Sequence, residues 1–239
     1  MSSLKTLIKE TQNISDRPPN PAQIFLEWKA GEGVFEFYDK ELQEKIKIEK
    51  PIRFILLDSL ATCRGWDSQN EAALIGTEVR NPATDRIALR SYYTENGVKR
   101  SQKLIEGLWK TDIKDKYPVD YYQSLYATLE MGDDLVLANI RVGRSGLSSL
   151  IKAKLRPEDI FLITFSKGEE QKNGAAKWRT LKIEKETVLP DGWEEQATSH
   201  YKELQAYLSQ YLAPKPIESQ EPPETELDEV IPDGVVFES

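Results

Sequence analysis

Cations set beside aromatic rings are the residues of this sequence best suited to chemistry. Between residues 140 and 185 lie eleven bases, Arg141, Arg144, Lys152, Lys154, Arg156, Lys167, Lys172, Lys177, Arg179, Lys182 and Lys185, against five acids. That local excess of six positive charges stands in a chain whose net charge is −8. Trp178 is flanked by Lys177 and Arg179, and along a strand alternate side chains share a face, so the two cations oppose the ring. A hairpin with basic flanks can track a phosphate backbone while nearby rings stack bases. Arg90, Tyr92 and Tyr93, followed by Lys99, Arg100 and Lys103, form a second set, and Arg64 with Trp66 a third. The second and third sets alone are more simply read as core or half-buried aromatics, and for Trp178 alone the core reading is slightly ahead. For the whole 140–185 segment binding is ahead, because solubility does not need that excess of charge. Recurrence on three separated segments favours binding.

The scarcity of other chemistry narrows the function. One cysteine and one histidine exclude an intrachain disulfide and a zinc site of the usual Cys/His type, which needs about four ligands. They also remove most nucleophilic and acid–base mechanisms that depend on His or Cys, though not carboxylate-based metal catalysis. Cys63 lies in an apolar stretch and is expected to be a buried thiol; His200 is expected on the surface. The turn from Gly143 to Gly146 lacks the spacing and terminal Lys-Ser/Thr of a P-loop, although with Arg141 and Arg144 beside a helix start it suits a single phosphate. A plain turn explains it equally well. Asp133 with Asp134, and Asp112 with Asp115, read as turn or surface acids. No compact catalytic set emerges, so a non-enzyme without cofactor or metal is expected.

The elements that must position these residues are mostly strands. Residues 24–28 and 34–38 flank a Gly-containing connection and predict a hairpin. Residues 51–57 form a continuous apolar strand leading to Trp66. Residues 86–93 read as a strand ending at an Asn-Gly turn. Residues 104–116 carry apolar positions at helical spacing. Residues 121–129 and 135–142 predict two strands around a turn at 131–134, and Ser145 or Ser148 suits the cap of a short helix reaching Leu155. Residues 159–165 and 176–183 form the clearest strand pair, joined by a polar loop at 166–175. A last helix spans 194–212. The resulting fold class is mostly β with one or two helices, best matched by an OB-like Greek-key barrel, with a sandwich as the alternative.

Three segments are expected: an N-terminal helix and Pro-rich linker over 1–21, a β-rich binding domain over 22–213, and a disordered acidic tail over 214–239. The tail holds eight acids and the single base Lys215, a composition that cannot bury enough apolar surface to offset ordering entropy. The body without it is nearly neutral. The tail nevertheless closes on Val235, Val236 and Phe237. Acids such as Asp228, Glu229 and Asp233 supply long-range attraction and the apolar end a short-range anchor, a combination suited to docking on a basic partner. No apolar run reaches the ~20 residues of a membrane span and no signal-peptide pattern opens the chain, so a cytoplasmic location is expected.

A β-rich body with basic-aromatic strands and an acidic tail with a hydrophobic end resembles the single-stranded DNA-binding proteins of bacteria and their tailed phages. The resemblance covers the body loosely and the tail more closely, with Glu238 and Ser239 following Phe237 where that group usually ends in its apolar residue. It implies an OB fold, sequence-tolerant binding of single-stranded DNA in replication, repair and recombination, and a tail that recruits replication or recombination proteins. On that reading phosphates meet Arg141, Arg144, Lys167, Lys172, Lys177 and Arg179, while bases stack among Trp66, Tyr92, Tyr93 and Trp178. Arg64 and Arg90 accompany them, and a homo-oligomer is compatible. The alternative from another class is a protein–protein adaptor or virion-associated structural protein.

Overall fold

A computed structural model describes residues 18–39 and 41–213. The N-terminal helix expected over 1–15 and the tail, including Asp228, Glu229, Asp233, Val236 and Phe237, lie outside the described residues. The organising element is β4 (Ile52–Asp67), sixteen residues grown from the apolar run after Pro51. Along one edge it pairs antiparallel with β8 (Val119–Met131), from Phe54↔Leu129 to Gly65↔Val119. Its other edge is divided. Residues 52–55 pair with β10 (Leu162–Asn173), and residues 64–67 pair with β5 (Ala72–Gly76). A bulge between Leu56 and Asp58 adds the local bend and twist that let one strand serve two neighbours.

From β8 the sheet continues through β9 (Asp134–Gly143) to β1 (Ile24–Lys29), which runs parallel to β9, then β2 (Val34–Asp39) and β3 (Glu44–Ile48). On the other side β5 leads to β6 (Ile87–Glu95) and β7 (Val98–Gly107). Helix α1 (Ser145–Ala153) connects β9 to β10; β11 (Ala176–Glu186) returns along β10, and α2 (Trp193–Tyr211) follows. The architecture is mostly β with two α-helices among the described residues. Among those residues no ladder closes the sheet into a barrel. β11 meets the β1–β2 turn through one backbone hydrogen bond, Arg179 N to Ala30 O at 2.7 Å.

Strand alternation sorts the apolar residues into separate cores. Ile52, Phe54 and Leu56 face Leu125, Leu129, Ile140 and Phe165 inside the curl, with Leu150 of α1 over one end. Phe165 meets Phe54 edge-on at 4.7 Å between ring centroids. The opposite face carries Ile55, Leu57, Leu60, Tyr126 and Leu137 under Trp193, Ala197, Leu204 and Leu208 of α2. A third cluster, with Cys63, Leu74, Ile87, Leu89 and Ile113, fills the space among β4, β5 and β6. Each such side chain contributes about 1.5–3 kcal/mol on full burial, and burial pushes the Cys63 thiol up to about 12.

Three expectations change. The helix expected over 104–116 is instead the end of β7, whose Leu89↔Ile105 pairing joins it to β6, followed by one π turn at Trp109–Ile113. Leu104 is exposed while Ile105 is half-buried and Gly107 buried, the alternation of a strand, and long-range pairing decides for it over the helical spacing. The polar loop expected over 166–175 is mostly ladder. β10 and β11 stay paired to Asn173↔Ala176, because backbone hydrogen bonding does not require apolar side chains. His200, expected on the surface, is 5% exposed. The stripe Trp193, Ala197, Leu204, Leu208 carries it onto the sheet, where its Nδ1 lies 3.0 Å from Thr128 Oγ1. Burial lowers its pKa, against the weaker opposing charge of Glu203.

Candidate functional site

The outward face of the sheet is shared between α2 and a cleft. Register decides which side chains meet there. Glu36 lies opposite Glu27, Glu27 opposite Arg141, Arg141 opposite Ser124, and Ser124 opposite Leu60. One step along, Gly143, Tyr122 and Thr62 form the next row, and Asp120, Arg64 and Ile75 the one after. α2 covers the Leu60 end. The rest borders a cleft of about 950 Å³ lined by Phe25, Glu27, Tyr38, Arg64, Trp66, Tyr122 and Arg141, among others. Gly65 permits the construction at its far end: a Cβ there would collide with the Pro118 carbonyl oxygen, so only glycine lets β4 approach β8 between Arg64 and Trp66.

The cleft is electrically two-sided. Arg64 is 18% exposed and lies 3.9 Å from the Glu27 carboxylate. Burial, then the charge of Arg141, pull the Arg64 guanidinium down to about 10, more than Glu27 restores. It still carries its proton at neutral pH. Arg141 stacks on the Phe25 ring at 4.9 Å. Arg144, 72% exposed at the rim, donates from Nε to Asp120 at 2.8 Å. On the other wall Glu27 and Glu36 share Lys29, at 3.3 and 3.7 Å. The Tyr122 hydroxyl donates to Glu27 over 3.5 Å, and burial, then Glu27, push its phenol up to about 12. Ser124, 0% exposed on the same face beside Arg141, has an Oγ without a hydrogen-bond partner.

The residues expected from the sequence therefore separate. Arg64, Trp66, Arg141 and Arg144 come together in the cleft. Lys167, Lys172, Lys177, Trp178 and Arg179 stand on the β10–β11 hairpin, outside the cleft lining. Arg179 pairs with Glu170 at 3.1 Å and Lys177 approaches the same carboxylate at 4.0 Å. Trp178 opposite Gln171 is half-buried and belongs to none of the apolar cores. The hairpin touches the cleft's β1–β2 turn, where a Cβ on Gly33 (φ 72°) would lie 2.7 Å from Arg179 Cγ. Arg90, Tyr92 and Tyr93 sit on β6 outside the lining. Tyr92 is buried opposite Ala73, so its ring is not presented to solvent; Tyr93 is half-buried.

Sequence reasoning missed Glu27, Lys29, Glu36 and Tyr122. The alternation of 25–29, 34–38 and 120–124 assigns each a face, but only pairing reveals that these faces are continuous. Among the described residues no three His, Cys, Asp or Glu side chains are grouped to hold a metal ion, and no helix is long and apolar enough to cross a membrane. No protein-family model, curated protein or solved structure matches this chain.

Proposed function

We propose that the chain is a non-catalytic, OB-like binding protein for single-stranded DNA, acting in replication, repair or recombination in a bacterial or phage-infected cytoplasm. The supporting observation is the Arg64–Arg141 pair: two half-buried guanidinium groups facing a cleft bordered by Trp66 and Tyr122, with the Glu27 carboxylate 3.9 Å from Arg64. Such a surface gains by taking up a phosphodiester, and rings beside it offer stacking to bases.

Connectivity supports the OB-like reading. A long bent strand, β4, pairs on one edge with β8 and on the other with β10, while α1 stands between β9 and the β10–β11 hairpin. OB folds are partly open five-stranded barrels that bind oligonucleotides on the face of their second and third strands and with the loops after the first and fourth. The corresponding places are the outward faces of β8 and β9, the β5–β7 insertion, and the tip between Lys172 and Lys177. Arg141, the 90–103 segment and the hairpin lysines fall on them, and Arg64 with Trp66 adjoins them at the end of β4. The tail residues Asp228, Glu229, Asp233, Val236 and Phe237 complete the reading as the contact for partner proteins.

Titration of a mixed-sequence oligonucleotide against intrinsic Trp fluorescence at several salt concentrations tests this. Affinity should fall with log salt at about −0.7 per neutralised phosphate. Absence of binding at low salt would sink the proposal.

A further inference from the structure

We propose that the cleft takes a nucleotide in one orientation, phosphate against Arg64 and Arg141 and the amino-bearing edge of the base against Glu27 and Glu36, so that the protein prefers cytosine-rich over thymine-rich strands. The inference rests on the single-strand reading and adds base preference to it.

Two observations carry it. First, the two walls have opposite sign and fixed order. Arg141, Glu27 and Glu36 lie on successive strands β9, β1 and β2 with side chains on one face. Two strand spacings, about 10 Å, separate Arg141 from Glu36, with Glu27 between them and 3.9 Å from Arg64, so a sugar and base laid across pass Glu27 and reach Glu36. Second, the acidic wall keeps acceptor capacity. Glu36 is 13% exposed and approaches Lys29, as Glu27 does, with Lys47 opposite it on β3. A carboxylate with about four lone-pair sites can still accept a further donor. Of the other acids of the lining, Glu32 binds Lys47 at 2.7 Å and Asp39 accepts the backbone N–H groups of Glu41 and Leu42.

The chemistry selects the base. A carboxylate only accepts hydrogen bonds, and cytosine presents an amino donor at N4. Thymine presents the O4 carbonyl and a methyl group at the same edge, so its approach to Glu27 and Glu36 sets acceptor against acceptor. The acidic wall repels the phosphate backbone as well, which forbids the reversed orientation.

Oligo-dC and oligo-dT of equal length are titrated by Trp fluorescence at neutral pH and one salt concentration, with the wild-type chain and with Glu36→Gln and Glu27→Gln/Glu36→Gln variants whose far-UV spectra and melts match wild type. Wild type should bind oligo-dC tighter by on the order of ten-fold. The preference should shrink in Glu36→Gln, which leaves Glu27 beside Arg64, and vanish in the double variant, chiefly by a gain for oligo-dT, because a glutamine amide can also donate to O4. Equal wild-type affinities would overturn the base preference and leave single-strand binding standing. A preference that survives in Glu36→Gln and in any folded double variant would overturn the role of the acidic wall. Binding of neither strand would overturn both.

Discussion

The cleft and the β10–β11 hairpin carry the same residue types in opposite settings. In the cleft, Arg64 is mostly buried and Arg141 is stacked on Phe25, and long-range pairing through β8 brings them together. On the hairpin, Lys167, Lys172 and Lys177 are exposed, and Lys177 and Arg179 already face Glu170. A charge held at low exposure, with its side-chain entropy already spent, gives a directed contact. Exposed charges in high dielectric give a diffuse attraction that salt screens. The difference teaches that local charge density in the sequence identifies where a polyanion is attracted, and partial burial identifies where it is held.

The largest expected effect removes the frame common to both regions. Phe165 is fully buried at the root of the hairpin, opposite Ile52 of β4 and edge-on to Phe54. Phe165→Ala should cost about 3–5 kcal/mol of stability, read as a lower urea midpoint. A change below about 1 kcal/mol would mean that the hairpin root is not anchored in this core. Next comes the cleft. Arg64→Ala or Arg141→Ala should weaken binding of a mixed-sequence strand by on the order of ten- to a hundred-fold with little change in the melt, and the loss should persist at moderate salt.

The hairpin sharpens the contrast. Lys177→Glu/Arg179→Glu should weaken binding by less than either cleft variant at moderate salt, with its main effect at low salt. An equal or larger loss at moderate salt would transfer the primary site to the hairpin. The smallest effect concerns the part of the face that α2 occupies. His200 is buried and its folded pKa is lowered, so the unfolded chain takes up its proton first as pH falls. Its neutral packing is fully available above the unfolded value of about 6.5, and stability declines below it toward the depressed folded pKa. A His200→Gln variant should flatten that part of the melting-temperature profile. An unchanged slope would assign it to other groups.

Much of the cleft is legible in the sequence. Arg64, Trp66, Arg141 and Arg144 are each marked by a base beside a ring or a turn, and all four line it. Glu27 and Glu36 escape notice because an acid on an alternating strand is ordinarily a solvated one. Nothing within residues 24–29 or 34–39 says that the outward side of that hairpin lies beside β9. Tyr92 shows the converse. Its neighbours Arg90 and Tyr93 mark it for stacking, yet pairing with Ala73 places its ring inside.

By itself the sequence determined the strand-rich composition, the places of most strands, the α1 and α2 segments, and the asymmetry between a nearly neutral body and an acidic end. These depend on period, turn residues and local charge, which short stretches of chain express independently. The tertiary structure decided that residues 104–107 pair as strand, that the 166–173 segment extends a ladder, that His200 turns inward, and that Arg64 and Arg141 share a face with Glu27 and Glu36. Each of these depends on register between segments distant in sequence. The bulge between Leu56 and Asp58 and the parallel docking of β1 on β9 set that register, and a shift of one residue would have sent every one of these side chains to the opposite face.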